Sequence, residues 1–184
     1  MAGSGGNGGG GMVAARRLSN WGADVCLLMA GNVSKLKKET KHQYSILKAM
    51  GISEVSQIDK ADLLIDGLIG YGMKGELKTA QEVIIESANR SGIPVLSLDT
   101  PSGIDLTNGK PSKAAIKATS TLALGLPKFG LFKMRASRHI GDLYLADISI
   151  PPKAYKQVGI ETDILEKIFA ESTIVKINKL VVLG

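Results

Sequence analysis

Two aspartates of this chain stand at positions from which they could do chemistry. Asp66 closes the apolar run 63–66, and Asp99 closes the apolar run 95–99. A carboxylate at the end of a buried strand is costly to desolvate, so it needs a cation, hydrogen-bond donors or a catalytic task. In open α/β sheets, ligands bind beyond the carboxyl ends of the strands. The pair therefore favours a ligand site, although either aspartate alone could equally be the cap of a turn.

A glycine run near the start of the chain predicts a cradle for a negatively charged ligand. Six of the eight residues from Gly3 to Gly10 are glycine, and the helix-like segment 12–18 follows. Backbone without a Cβ lets a ligand come close, and the free N–H groups in the first turn of a helix stabilise anions. A flexible tail is the alternative, because Gly3-x-Gly5-x-x-Gly8 fits a dinucleotide fingerprint by composition alone.

Two further polar residues are expected at the same edge of the sheet. Asn7 lies inside the glycine run, and Lys128 follows the apolar run 122–127. Established nucleotide motifs fit poorly. The strand-like run before Asn32 has no acidic residue at its carboxyl end to bind a ribose, and Lys110 lacks the spacing of a Walker motif. The sequence also offers no Ser-His-Asp or Cys-His set. An ordinary NAD-dependent dehydrogenase and a nucleotide hydrolase are therefore disfavoured.

Composition narrows the class of protein. A length of 184 residues suits one domain, and the 44% of hydrophobic residues indicates a globular chain with a sizeable core. The net charge of +6 could suggest a nucleic-acid partner. The three Phe, four Tyr and one Trp are not interleaved with basic residues, however, so no nucleic-acid partner is predicted. No apolar run approaches the roughly 20 residues that a membrane helix needs. These features predict a cytoplasmic protein that does not bind membranes.

The cysteine and the histidines are given no chemical role. Cys26 lies in the apolar stretch 25–29, which predicts a buried and unreactive thiol. His42 and His139 are far apart and have no partner at the spacing of metal ligands. We expect both histidines to be surface or structural groups.

The elements that must position the site alternate along the chain. Strand-like runs stand at 23–30, 62–69, 93–98, 119–125 and 142–150, and helices are predicted near 34–50 and 80–91. The later helix presents Val83, Ile84 and Ala88 as an apolar stripe and ends at the cap Ser91-Gly92. The pattern predicts an α/β fold, a Rossmann-like three-layer sandwich with a mostly parallel sheet.

The beginning of the chain departs from this pattern. A Rossmann glycine loop should follow a buried first strand, yet only Met1 and Ala2 precede Gly3. We therefore expect the first strand and an amino-terminal helix to be missing. Truncation is the favoured explanation, and a sheet that lacks most of its central strand is the alternative.

Four ordered segments resemble the NAD(P)H-hydrate epimerase family, the YjeF N-terminal domain. They are 3–18, 64–75, 98–105 and 124–130, and the segment 141–152 is similar to the family's closing strand. The resemblance implies a single domain over residues 1–184, with a core of about 3–159 and a carboxyl-terminal extension over 160–184. It also implies an isomerase, often a homodimer, that interconverts the R and S epimers of hydrated NADH and NADPH, called NADHX and NADPHX. A separate dehydratase, absent from this chain, then repairs the S form.

The resemblance also assigns roles to individual residues. Asp99 is implied to be the acid/base group, and Asn7, Asp66 and Ser102 are implied to bind one potassium ion per subunit through oxygen atoms. The residues implied to contact the substrate are Gly6, Asn7, Gly8, Gly9, Gly10, Gly70, Tyr71, Gly72, Met73, Lys74, Gly75, Glu76 and Asp99.

The glycine run departs from the family pattern at two positions. The family usually reads Gly-Asn-Asn-Gly-Gly-Asp-Gly, where this chain has Gly-Gly-Asn-Gly-Gly-Gly-Gly over 5–11. Gly6 and Gly10 thus replace side chains, and the lost carboxylate at Gly10 removes a substrate contact. The alternative function is a nonenzymatic nucleotide-binding or protein-interaction domain of the same fold with a decayed site.

Overall fold

The structure is a computed structural model that describes residues 1–73 and 75–177. Its helices are α1 (Gly6–Asn20), α2 (Lys38–Ala49), α3 (Thr79–Ser91), α4 (Ser137–Ile140), α5 (Pro152–Gln157) and α6 (Asp163–Ile168). Its strands are β1 (Cys26–Leu28), β2 (Ser53–Val55), β3 (Leu64–Asp66), β4 (Val95–Leu98), β5 (Ser120–Leu124), β6 (Asp142–Ala146) and β7 (Ile174–Lys176). Short 3₁₀ turns cover Val33–Lys35, Phe129–Phe132 and Met134–Ala136.

The strands form two sheets that the first residues of the chain bring together. β3, β4, β5 and β6 are parallel neighbours, β7 pairs antiparallel with β6, and β1 pairs parallel with β2. Ala2 forms parallel bridges to Met29 on one side and to Gly67 on the other. The spatial order is therefore β2, β1, Ala2, β3, β4, β5, β6, β7. This order confirms the predicted Rossmann-like, mostly parallel sheet, with segment 1–3 in the place of the first strand.

Helices cover both faces of this sheet. Successive residues of a strand point to opposite faces, and β1 shows the consequence. Leu27 packs in a buried cluster with Met12 of α1 and Leu47 of α2, whereas Leu28 belongs to a cluster with Ile85 of α3. A third buried cluster joins β5 and β6 to α4. The molecule is thus built in three layers, helices on both sides of a sheet.

The apolar face of α3 differs from the predicted stripe. Ile84 and Ala88 are buried as expected, and Gly92 ends the helix in the left-handed conformation with φ of 72°. Val83, however, is 58% exposed, while Ile85 is fully buried. The expected position of Val83 was wrong because a rotation of about 100° per residue brings Ile85, not Val83, onto the face of Ile84 and Ala88.

The glycine run is mostly helix rather than loop. α1 begins at Gly6, whereas the sequence predicted a loop up to Gly10. Close packing explains the glycines: a Cβ on Gly8 would lie 1.9 Å from the carbonyl oxygen of Gly3, and a Cβ on Gly9 would lie 3.3 Å from Thr40 Oγ1. Because glycine has a poor intrinsic helix propensity, the sequence did not indicate that α1 begins at Gly6. Tertiary packing determines where this helix begins.

The structure also bears on the cysteine, one histidine, membrane helices and metal ligands. Cys26 is exposed, so the prediction of a buried thiol was wrong. Cys26 is the first residue of β1. His139 Nδ1 lies 2.9 Å from the carbonyl oxygen of Ile116, a structural contact as expected. Within residues 1–73 and 75–177, no helix is long and apolar enough to cross a membrane, and no three His, Cys, Asp or Glu side chains cluster as metal ligands.

Candidate functional site

The two aspartates lie side by side at the carboxyl edge of the parallel sheet. Asp66 is the last residue of β3, and it pairs in register with Ser97 of β4. Asp99 follows directly after Leu98, where β4 ends. The side-chain nitrogen of Asn7 donates a hydrogen bond of 3.1 Å to the carbonyl oxygen of Leu98. The start of α1 is thereby fixed over the same strand ends.

Asp66 is fully buried and surrounded by donors. Its Oδ1 accepts hydrogen bonds from Ser102 Oγ at 2.6 Å and from the Leu68 amide at 3.2 Å. Its Oδ2 accepts from Ser97 Oγ at 2.8 Å and from the Ser102 amide at 2.9 Å. Burial raises the pKa of Asp66, and these four hydrogen bonds, which favour the charged carboxylate, oppose that rise.

Ser102 connects this carboxylate to the loop after β3. The Ile69 amide donates to Ser102 Oγ at 2.9 Å, and Ser102 Oγ also lies 3.2 Å from the carbonyl oxygen of Ile69. Ser102 itself is fully buried. The loop that begins after Asp66 is therefore anchored by a side chain that also binds Asp66.

Asp99 has a different environment. It is 9% exposed and has φ of 66°, a left-handed conformation that side chains other than glycine rarely adopt. Its amide donates to the carbonyl oxygen of Leu122 at 2.8 Å, which fixes the backbone against β5. Its Oδ1 accepts a hydrogen bond from Lys128 Nζ and forms an ion pair with it. Its Oδ2 accepts a hydrogen bond of 3.3 Å from the Tyr71 amide.

The loop expected to cover the substrate starts between these groups. A Cβ on Gly70 would lie 3.1 Å from the Asn7 side chain, so the loop begins against α1. Tyr71 is 70% exposed, and Gly72 and Gly75 have open space around them. Lys74, also predicted to contact substrate, lies outside the described residues.

A well-formed surface cleft does not coincide with this site. This cleft, of about 510 Å³, is lined by Ile58, Lys60 and Arg90, among others, and so lies near the amino ends of β3 and β4. None of the predicted site residues lines it. The chemistry of the strand ends, and not cavity size, therefore identifies the candidate site.

Comparison with known proteins agrees with this geometry. The family model described as YjeF-related protein N-terminus matches residues 1–130. The chain belongs to this family. It is 36% identical over 165 residues to NAD(P)H-hydrate epimerase of Dehalogenimonas lykanthroporepellens, covering 88% of this chain and 65% of the relative. It is also 36% identical over 152 residues to NAD(P)H-hydrate epimerase of Leuconostoc mesenteroides, covering 82% of this chain and 69% of the relative.

Two other relatives extend the comparison. A bifunctional NAD(P)H-hydrate repair enzyme of Thermofilum pendens is 35% identical over 162 residues, which are 82% of this chain and 31% of that protein. The crystal structure of the yeast protein ynu0 matches with a TM-score of 0.75 at 24% identity, covering 96% of this chain and 75% of the yeast chain. The yeast structure supports the fold. The chain spans about two thirds of the length of the two epimerases above, 65% and 69%.

In this member of the YjeF-related family, the glycines of α1 divide into two groups. Gly8 and Gly9 are buried. A Cβ on Gly6 or Gly10 would meet no atom within 4 Å. Packing therefore requires Gly8, whereas the two positions that depart from the family pattern have room for the side chains that they lack.

Sequence reasoning missed two groups near the site, Ser97 and Thr100, and one contact, that of Lys128 with Asp99. Ser97 binds Asp66, and a polar residue inside the apolar run of β4 was the available signal. Lys128 was expected at the sheet edge, but its contact with Asp99 depends on how the chain turns after β5. Thr100 Oγ1 is buried without a hydrogen-bond partner among the described residues, and no pattern in the sequence indicated this.

Proposed function

We propose that this chain interconverts the R and S epimers of NADHX and NADPHX. The observation that carries the proposal is Asp99, a carboxylate at the edge of the sheet that is held by Lys128 and by the Tyr71 amide beside the start of α1. Membership in the YjeF-related family, with relatives named NAD(P)H-hydrate epimerase, supports it.

Asp99 can supply the proton transfers that this exchange needs. The substrate carries a hydroxyl group at C6 of the nicotinamide ring. An acid protonates this hydroxyl, the C6–O bond breaks, and water leaves as the ring nitrogen lone pair forms a C=N bond. Water then adds to the opposite face of C6 and gives its proton to solvent, and the carboxylate takes up a proton from solvent. The reaction has no net consumption of protons, and Asp99 serves as the acid/base group on one face of the ring.

We also propose a potassium ion at Asn7, Asp66 and Ser102, one per subunit. The donors fit in type, because all three side chains carry oxygen atoms, which alkali and alkaline-earth cations prefer. Asp66 fits in charge, because it is fully buried and none of the ion pairs within 1–73 and 75–177 includes it. Its oxygens already accept four hydrogen bonds, so ion binding would require the Ser102 hydroxyl to turn its proton away. Such an ion would offset the carboxylate charge and attract the pyrophosphate of the substrate.

The remaining parts of the proposal concern contacts and context. The proposed substrate contacts are residues 6–10, residues 70–76 and Asp99. We further propose a cytoplasmic homodimer that works beside a separate dehydratase. The bifunctional repair enzyme of Thermofilum pendens, of which this chain matches 31%, supports the link to a second repair activity.

A coupled assay tests the proposed function. Purified protein in potassium buffer would receive (R)-NADHX together with a dehydratase that is specific for the S form, and NADH recovery would be followed by absorbance. We expect recovery to accelerate in proportion to protein concentration. Recovery no faster than without the protein would contradict the proposal. If NAD-type ligands or ADP-ribose still bind in that case, the nonenzymatic nucleotide-binding alternative is supported.

A further inference from the structure

Lys128 contacts Asp99 from the segment that follows the neighbouring strand β5. It stands four residues after Leu124, the last residue of β5, and its Nζ donates to the Leu124 carbonyl oxygen at 2.9 Å. The same nitrogen contacts Asp99 Oδ1. The side chains of Lys128 and Asp99 are only 17% and 13% exposed. An ammonium group has three donors, so two of them are used to hold this side chain across the ends of β4 and β5.

The conformation of Asp99 needs such external support. A residue other than glycine with φ of 66° is strained and persists only where the surrounding structure fixes it. The Leu122 carbonyl oxygen fixes the backbone. The carboxylate is fixed separately, with Lys128 on one oxygen and the Tyr71 amide on the other.

We propose that Lys128 is the positioning residue of this site. It holds the Asp99 carboxylate in one orientation, and through Asp99 it keeps the Tyr71 amide, and thus the start of the loop 70–76, in place. The effect on catalysis rests on the proposed epimerase function. The effect on Tyr71 does not, because it concerns the protein without substrate.

Misplacement of Asp99 should reduce turnover more than binding. A shift of about 1 Å in a catalytic group costs on the order of 10²-fold in rate. Lys128 has no part in the proposed ion site, and within the part of the chain that the structure describes its hydrogen bonds go to Asp99 and Leu124. Loss of its ammonium group should therefore lower kcat and leave KM unchanged.

The test compares three variants with the wild-type protein. Lys128→Met removes the charge and keeps the length, Lys128→Arg keeps a charged donor, and Lys60→Met is a control at an exposed position before β3. For each, kcat and KM are measured by epimer exchange. The Tyr71 amide is followed by ¹H–¹⁵N spectra and hydrogen exchange in the absence of substrate. If Lys128→Met does not fold, Lys128→Gln takes its place.

Lys128→Met is expected to lower kcat about 10²-fold, to shift the Tyr71 amide resonance and to speed its hydrogen exchange. Lys128→Arg should recover part of kcat and restore the Tyr71 amide, because it keeps the charge with a different donor geometry. Lys60→Met should match the wild type. Wild-type kcat in Lys128→Met, or an unchanged Tyr71 amide, would overturn the proposal. If the wild type itself exchanges no epimers, the epimerase function fails, and the Tyr71 amide still decides the positioning role.

Discussion

Asp66 and Asp99 end neighbouring parallel strands, yet their surroundings differ in nearly every respect. Asp66 is fully buried, and its two oxygens accept four hydrogen bonds from neutral donors. Asp99 is 9% exposed, has a strained backbone, and contacts an ammonium group. The same residue type at equivalent ends of adjacent strands therefore has two different environments.

The difference indicates which carboxylate can move a proton. The hydrogen bonds of Asp66 join β3, β4 and the loop at Ser102, so any change at Asp66 disturbs several elements at once. The Asp99 side chain is 13% exposed, whereas Asp66 is fully buried. We therefore assign structural and electrostatic work to Asp66 and proton transfer to Asp99. The following predictions are arranged to break this division or to sharpen it.

The largest effect is expected from Asp99→Asn. The amide keeps the shape of the side chain but cannot carry the proton, so exchange should fall about 10²- to 10⁴-fold. Affinity for the nicotinamide dinucleotide, measured by calorimetry, should decline only modestly. Near-normal exchange in this variant would remove Asp99 from the catalytic role.

Asp66→Ala should instead lower stability and ion dependence. It leaves the donors on Ser97, Ser102 and Leu68 without an acceptor, so the free energy of unfolding in urea should fall by roughly 3 kcal/mol. Cofactor affinity and its dependence on potassium should decline together. The exposed Asp62→Ala is the matched control, and it should change stability by less than about 0.5 kcal/mol. A stable Asp66→Ala with unchanged potassium dependence would contradict this assignment.

The pH dependence of stability should separate the two carboxylates. Because burial raises the pKa of Asp66, the folded protein keeps its proton over a pH range in which the unfolded chain has released it. Without potassium, the free energy of unfolding should thus fall as pH rises through that range, by at most about 1.4 kcal/mol per pH unit. Potassium favours the charged form and should flatten the decline. Urea titrations of the wild type and Asp66→Asn, in potassium and in a large organic cation, measure this difference. An identical pH dependence of the free energy of unfolding in both proteins would argue against a raised pKa of Asp66.

The smallest effect concerns α1, which lies over both aspartates. Gly10 has open space around it, so Gly10→Ala should raise the free energy of unfolding by about 0.5–1 kcal/mol through helix propensity. Gly8→Ala should do the opposite, because its Cβ would lie 1.9 Å from the Gly3 carbonyl oxygen. Thermal unfolding of both variants measures the contrast, and a gain at Gly8 would show that the packing of α1 is misassigned.

Much of this fold follows from local patterns in the sequence. Apolar runs bounded by turn residues predicted β1, β3, β4, β5 and β6, and the cap at Gly92 ended α3 as expected. β2 and β7 were not predicted. Each has three residues and is largely exposed, so neither carries an apolar signal. They depend on pairing with distant strands, which a local pattern does not encode.

The candidate site was predicted in part for similar reasons. Strand ends are local features, so Asp66 and Asp99 could be selected from the sequence. Lys128 could also be placed at this edge, and the family resemblance implied Ser102. Their contacts with the two aspartates could not be predicted, because the approach of these later segments depends on the tertiary fold. The start of α1 at Gly6 was concealed because burial against Gly3 overrides the poor propensity of glycine.

Direct equilibration of the two epimers tests the central claim most directly. Pure (R)-NADHX and pure (S)-NADHX would each be incubated with the protein in potassium buffer, and both epimers would be quantified by chromatography over time. We predict that both mixtures converge on the same ratio, at rates proportional to the wild-type protein concentration and close to background with Asp99→Asn. If either epimer equilibrates no faster with the protein than in buffer alone, the assignment of this strand-end site to epimer exchange is contradicted.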